Sequence, residues 1–315
     1  MKTTDVLGCV GWAAGLLVAS GWIPFVGPVI GLLTPIPFLY YSAKLGLRQG
    51  VVVTAVTVGV IGLTAVLAGY PQIILFAVEF SLLGIVLAEL FKRGIDLGRT
   101  ILFATLFMLL LGACALSFIA LSRDMGPIQL VLAYLEDHLK AAITAYESMG
   151  MPQQNTKELE AFGKAIIHTI SKIYPSLIIL GTGFAVWLNV VVARPLFRMK
   201  NLGYPDFTPM DRWQAPELLI WGVIASGFSL FLMSGVIKLL AINALIVLLA
   251  VYLFQGLSIL LFFLNKFRVP RLVRICIYGF VIIQQVLLGV LALAGLFDQW
   301  IDFRKIHRKA NKESG

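Results

Sequence analysis

The chain has 315 residues, 59% of them hydrophobic and 13% charged, with a mean hydropathy of +0.93 and a net charge of +9. Soluble domains carry roughly 45–50% apolar and about 25% charged residues, so this chain lacks the polar side chains to cover itself in water. A soluble enzyme, a disordered protein and a secreted disulfide scaffold are excluded, which leaves an all-α, polytopic transmembrane helical bundle. Residues 1–315 read as a single integral membrane domain.

A helix that crosses the bilayer needs about 20 apolar residues, because every backbone polar group must be paired within it. In chain order such stretches lie near 6–22, 25–43, 51–68, 72–91, 100–121, 170–193, 215–235, 240–264 and 275–297. That predicts eight or nine spans. The first two share a charge-free block from Val6 to Ala43, too long for a cleavable signal, so the first reads as an uncleaved span. Pro24, Gly27 and Pro28 interrupt the block, and Pro35 and Pro37 distort its second part. The second stretch is therefore expected to be kinked or re-entrant.

Between the fifth and sixth spans, residues 122–163 form a short external helical insertion. Ile128 to Ile143 mixes apolar residues with Glu136, Asp137, His138 and Lys140, the pattern of an amphipathic surface helix. Met151 to Asn155 reads as a loop. Thr156 reads as the N-cap of a second helix that runs into the sixth span. The segment is too short to be a catalytic domain.

Basic residues set the orientation. Lys44 and Arg48; Lys92, Arg93 and Arg99; Arg194, Arg198, Lys200 and Arg212; and Lys266, Arg268, Arg271 and Arg274 all fall on one side. The short turns of the other side carry only Lys238, and residues 122–163 hold more acidic than basic groups. The first set marks the cytoplasmic face. Residues 298–315 form a basic C-terminal tail, which strict alternation would place outside. A re-entrant span near the end, or a tail that breaks the rule, would explain the conflict.

The basic loops suit anionic headgroups of the lipid bilayer. Their charge is dispersed over many loops, which argues against a nucleic-acid partner. The sequence has no P-loop, His-Glu-x-x-His, Gly-x-Ser-x-Gly or dinucleotide-binding signature. Cys9, Cys114 and Cys276 form no pair, and His138, His168 and His307 lie in different regions. No metal, cofactor or catalytic residue is indicated, and the protein is expected not to be an enzyme.

Polar residues inside spans are costly unless paired or facing water. Glu79 sits about two turns into the fourth span. His168 and Lys172 share a face at the outer end of the sixth, so the three are candidates for an outward-facing pocket that binds a small molecule. Lys172 snorkelling into headgroups is the simpler account of that residue. Asn189, Asn243, Gln255, Gln284 and Gln285 are expected to make interhelical hydrogen bonds. The Gly11/Gly15, Gly27/Gly31 and Gly46/Gly50 spacings permit close helix approach.

Three stretches carry a resemblance when taken in order. They are Thr34-Pro35-Ile36-Pro37-Phe38-Leu39-Tyr40-Tyr41 with the basic Lys44–Gly50; Asn243 leading to Tyr252-Leu253-Phe254-Gln255-Gly256-Leu257-Ser258-Ile259; and Gly295 to Lys305. Together they resemble the YybS-like family of bacterial inner-membrane proteins, over nearly the whole chain. That family is remotely similar to the substrate-binding S components of energy-coupling-factor transporters. The resemblance implies a multi-pass subunit in the bacterial inner membrane that captures a small solute and depends on a separate ATPase and transmembrane module. The chain departs from S components in its larger number of spans and its external insertion.

Two functions remain open: a transporter-like subunit that binds a small solute from the outer side, and a structural or regulatory membrane protein acting through protein or lipid contacts. The first predicts an outer cavity lined by Glu79 and the proline-rich stretch. The second predicts tightly packed spans. A membrane-embedded enzyme ranks behind both, because no nucleophile–base or metal constellation can be assembled.

Overall fold

A computed structural model describes residues 2–23, 26–148, 153–204 and 209–304, apart from the side chains of Gln153 and Asn155. The described residues form helices and no strand. In order these are α1 (Thr3–Trp22), α2 (Gly27–Gly31), α3 (Pro35–Leu45), α4 (Leu47–Leu67), α5 (Ile73–Lys92) and α6 (Leu97–Leu121). There follow α7 (Pro127–Ser148), α8 (Gln153–Met199), a single 3-10 turn (Met210–Arg212), α9 (Leu219–Leu232), α10 (Gly235–Lys266), α11 (Arg271–Ile283) and α12 (Gln285–Ile301). The protein is an all-α polytopic membrane protein. Side chains such as Leu110, Phe118 and Phe231 stand exposed on its helices, where lipid supplies the apolar contact that a soluble fold would have to find in its core.

Among the described residues, α1, α4, α5, α6, α8 and α10 are long and apolar enough to cross a bilayer, which makes six candidate spans, or up to seven if the bent α11–α12 pair is one span. This is fewer than the eight or nine stretches in the sequence, because three of those stretches are not single long helices. The stretch 25–43 is divided between α2 and α3, 215–235 holds only the 14-residue α9, and 275–297 bends by 101° at Gln284.

The described residues group into two compact units, Met1–Tyr134 with Gly181–Phe207, and Leu135–Leu180 with Thr208–Gly315. In the first unit, α1 and the α2–α3 pair run antiparallel. Lys44 Nζ meets Asp5 Oδ1 at 2.6 Å at one end, and Gly27 lies against the Ser20 carbonyl at the other. The expected kinked second stretch is thus a return path in two pieces, with Pro35 opening α3 at its first turn. α5 packs on α3 through Gly84, where a Cβ would come within 2.7 Å of the Leu39 amide and the Pro35 carbonyl. Asp96 caps α6 by accepting from the Arg99 amide at 3.1 Å. Leu39, Leu87, Phe91, Ala104, Val190 and Phe197 form the main core of this unit. Tyr204, beyond the end of α8, packs on that core and donates to the Val190 carbonyl at 3.0 Å. Burial pushes its phenol up to about 12.

The insertion contains α7, which buries none of its residues. α8 runs unbroken for 47 residues from the insertion into the sixth span. It starts at Gln153, so Thr156 is not its N-cap, and of the expected loop only Met151 and Pro152 remain, outside the described residues. Gln154 Nε2 donates to Glu158 Oε1 at 3.3 Å one turn on, and glutamine is a good helix former, so nothing stops the helix before Thr156.

In the second unit, α9 and α10 are joined through Met233 and Ser234. The non-helical residues 213–218 continue from α9 alongside α10, with the Ala215 amide bonded to Gln255. α11 and α12 follow. Arg274 Nη1 donates to Asn265 Oδ1 (2.6 Å), Asn265 Nδ2 donates to Asp211 Oδ2 (3.0 Å), and Arg304 Nη1 donates to the Asp211 carbonyl (3.0 Å). Both ends of the α11–α12 pair are therefore tied to one residue of the 209–215 segment. α11 rises about 20 Å and α12 about 25 Å, with a 101° bend between them, the geometry of a broken span or of a re-entrant pair.

α12 continues to Ile301, and Asp298 and Arg304 are buried. Residues 305–315 lie outside the described residues.

Candidate functional site

The most developed polar arrangement lies in the second unit, where α10 and α12 meet through two glycines. A Cβ on Gly256 would collide with the Leu291 carbonyl, and one on Gly295 with the Tyr252 carbonyl. Only hydrogen at these positions lets the two backbones touch. The close approach brings polar side chains of both helices into range of each other.

Gln255 on α10 is fully buried, with its Oε1 accepting from the Ala215 amide at 3.1 Å and its Nε2 donating to Asp298 Oδ2 at 3.1 Å. Arg304 Nη2 meets the same carboxylate oxygen at 2.8 Å, and both side chains of this ion pair are 0% exposed. Asp298 Oδ1 accepts from the Phe303 amide at 3.0 Å. Arg304 Nη1 donates to the Asp211 and Trp213 carbonyls and to Ser258 Oγ, at 3.0, 3.0 and 2.8 Å. Ser258 Oγ itself donates to the Met210 carbonyl at 2.6 Å.

The local sequence explains how an arginine beyond the helix end reaches inward. Asp302 ends α12 in the left-handed conformation, with φ 46° and ψ 61°, which aspartate tolerates better than most residues. The turn sends the chain back along the last turn of α12, and Arg304 lands beside Asp298. A buried charge needs both a counter-charge and hydrogen bonds to all its polar atoms. Here every atom except Arg304 Nε finds a partner among the described residues.

Two further amides repair interrupted backbone. In the first unit, Asn189 Nδ2 donates to the Leu32 carbonyl at 2.7 Å, at the break between α2 and α3. In the second, Asn243 on α10 accepts from the Ser176 amide at 3.0 Å and donates to the Lys172 carbonyl at 2.8 Å, beside Pro175 of α8. Asn189, Asn243 and Gln255 each join separate elements within their unit. Gln284 and Gln285 instead stand exposed at the α11–α12 bend.

Glu79 belongs to the first unit, half-buried on α5, and makes no hydrogen bond or ion pair among the described residues. His168 and Lys172 belong to the second unit and are exposed on α8; the polar contact at Lys172 is through its backbone carbonyl. The residues that reasoning from sequence did not single out are Asp211, Ser258, Asp298 and Arg304. The available signal was an aspartate three residues after Gly295 on the same helix face, opposite a Gln-Gly-x-Ser run. Apart from Arg304 Nε, the polar atoms of the Gln255–Asp298–Arg304 node are engaged with one another and with backbone, and they form no nucleophile–base pair. Among the described residues no group of His, Cys, Asp or Glu is placed to hold a metal ion.

The family described as predicted membrane protein DUF2232 matches residues 13–299. The chain belongs to the DUF2232 family. The matched region includes the α2–α3 break bridged by Asn189, the Asn243 contacts beside Pro175, the glycine contact and Asp298. A similar protein is the uncharacterized protein YybS of Bacillus subtilis (strain 168), 22% identical over 290 residues that cover 90% of this chain and 91% of the relative. No solved structure matches the chain.

Proposed function

We propose that this DUF2232 member is a transport-type subunit of the bacterial inner membrane that binds a small polar solute from the outer side. It has no enzymatic activity of its own and draws energy from a separate ATPase and transmembrane module. The observation that supports this reading is that each unit contains a helix interrupted within an apolar stretch, α2–α3 at Leu32–Thr34 and α11–α12 at Gln284. Discontinuous helices free backbone groups within the membrane, where transporters use them to hold solutes and ions. Glu79 adds a half-buried carboxylate with no partner among the described residues, and the likeness to S components points the same way.

Native mass spectrometry of the protein purified in mild detergent tests the reading. A retained non-lipid small molecule, lost in Glu79→Gln, is the expected result. Spectra with lipid adducts alone, unchanged by Glu79→Gln, would overturn it. A scaffold role through protein contacts is the second reading, supported by Asn189, Asn243 and Gln255 spending their amides on the chain's own groups. It predicts a co-purifying protein and no solute in the same spectra.

A further inference from the structure

Phe162 belongs to α8 but not to its apolar stretch, which begins at residue 170. About 12 Å of helix separates the two, more than the interfacial layer of about 5–8 Å that flanks the hydrocarbon core. Even so, Phe162 is 66% exposed, and Ile166 one turn on is 41% exposed. Lipid does not cover a phenylalanine so far along the helix, and water is a poor neighbour for it.

The two side chains belong to a longer strip. Leu159, Phe162, Ile166, Thr169 and Ile173 recur at alternating intervals of three and four. That spacing keeps them on one side of α8 and is the repeat of a two-stranded coiled-coil seam. α7 packs on the adjoining side of α8, where a Cβ on Gly163 would collide with Leu139, and it leaves Phe162 and Ile166 uncovered. Charge is sorted away from the seam. Lys164 pairs with Glu160 at 2.6 Å, and Lys164 stands half a turn of the helix away from the strip. Between Glu158 and Lys172 the positions that flank the seam are Gly163, Ala165 and Ile170, none of them charged. Two identical seams can therefore meet without like charges facing each other.

We infer that this seam of α8 pairs with the same seam of a second copy of the chain. Copies inserted in one membrane share an orientation, so their α8 helices meet in parallel and at the same depth. Phe162 and Ile166 of the two copies then cover each other, as the apolar positions of a parallel coiled coil do. An unrelated protein would have to supply a matching repeat at a matching depth. A second copy supplies both by identity, which makes the contact isologous.

Disulfide linking of the full-length protein in its own membranes tests the pairing, in a background where the exposed Cys114 and Cys276 are replaced by serine. On mild oxidation, Phe162→Cys and Ile166→Cys should each give a linked dimer of twice the chain mass. Lys164→Cys, on the opposite side of α8, should not. Native mass spectrometry in mild detergent gives a second readout. Phe162→Glu combined with Ile166→Glu should shift the wild-type dimer to monomer without lowering the melting temperature, since both sites are exposed in the single chain. No linking at Phe162→Cys and Ile166→Cys, equal linking at Lys164→Cys, or a monomeric wild type would overturn the pairing. A complex with a different protein, lost in the double glutamate variant, would overturn the choice of a second copy as the occupant.

Discussion

Asn243 stands in for the helical hydrogen bond beside Pro175. In a regular helix the Ser176 amide would donate to the Lys172 carbonyl. Here the amide donates to Asn243 Oδ1 at 3.0 Å and the carbonyl accepts from Asn243 Nδ2 at 2.8 Å. Proline has no amide hydrogen, and its ring crowds the preceding turn. In a membrane, polar groups exposed in this way have no water to turn to.

Asn243→Ala should lower stability by about 1–2 kcal/mol. Pro175→Ala in that background should recover part of the loss, because it lets α8 close its own hydrogen bond. Thermal unfolding in detergent of the two single variants and the double variant checks this. Strict additivity would show that Asn243 does not act on the proline break.

Asp298→Ala and Arg304→Ala should each cost about 3–5 kcal/mol, because each leaves an unpaired buried charge. The combined variant Asp298→Leu with Arg304→Met should be more stable than the sum of the single losses predicts, since it removes both charges and keeps apolar volume. A double-mutant cycle on unfolding midpoints measures the coupling, and a coupling near zero would contradict the fully buried pair.

Glycine substitutions should separate sharply by position. Gly256→Ala and Gly295→Ala place a methyl against a carbonyl oxygen and should destabilise by about 1–3 kcal/mol. Gly112→Ala and Gly289→Ala meet no atom within 4 Å of the new Cβ and should be neutral or slightly stabilising, since alanine favours helix. Comparing melting temperatures of the four variants decides the matter.

The shared attachment of Arg274 and Arg304 through Asp211 predicts that the chain leaves Arg304 on the same side as the basic loops. A C-terminal green fluorescent protein fusion should therefore fluoresce, and an alkaline phosphatase inserted within residues 122–163 should be active. The reverse pattern would make α11–α12 a single crossing.

The membrane class was legible because hydropathy is a sum over local residues and needs no knowledge of neighbours. Asn189, Asn243 and Gln255 were legible as polar residues in apolar runs, although what they bond was not. Asn189 meets a carbonyl 157 positions away, and no local pattern encodes such a distance. Arg304 opens a basic run at the end of the chain, and nothing in that run marks one member as buried. Its burial depends on the left-handed turn at Asp302 and on the 209–215 segment arriving from elsewhere in the chain. The Gln284 bend has no proline or glycine to announce it.

The glycine contact between α10 and α12 has a mechanical consequence. Interlocking side chains act as pegs that hold two helices in register, and at Gly256 and Gly295 there are none. Backbone lies on backbone at these two points, and the polar clasp at one edge fixes the register of the rest of the contact. A slip of one helical turn, about 5.4 Å, would carry Asp298 out of reach of Gln255 and pull Arg304 from its carbonyls.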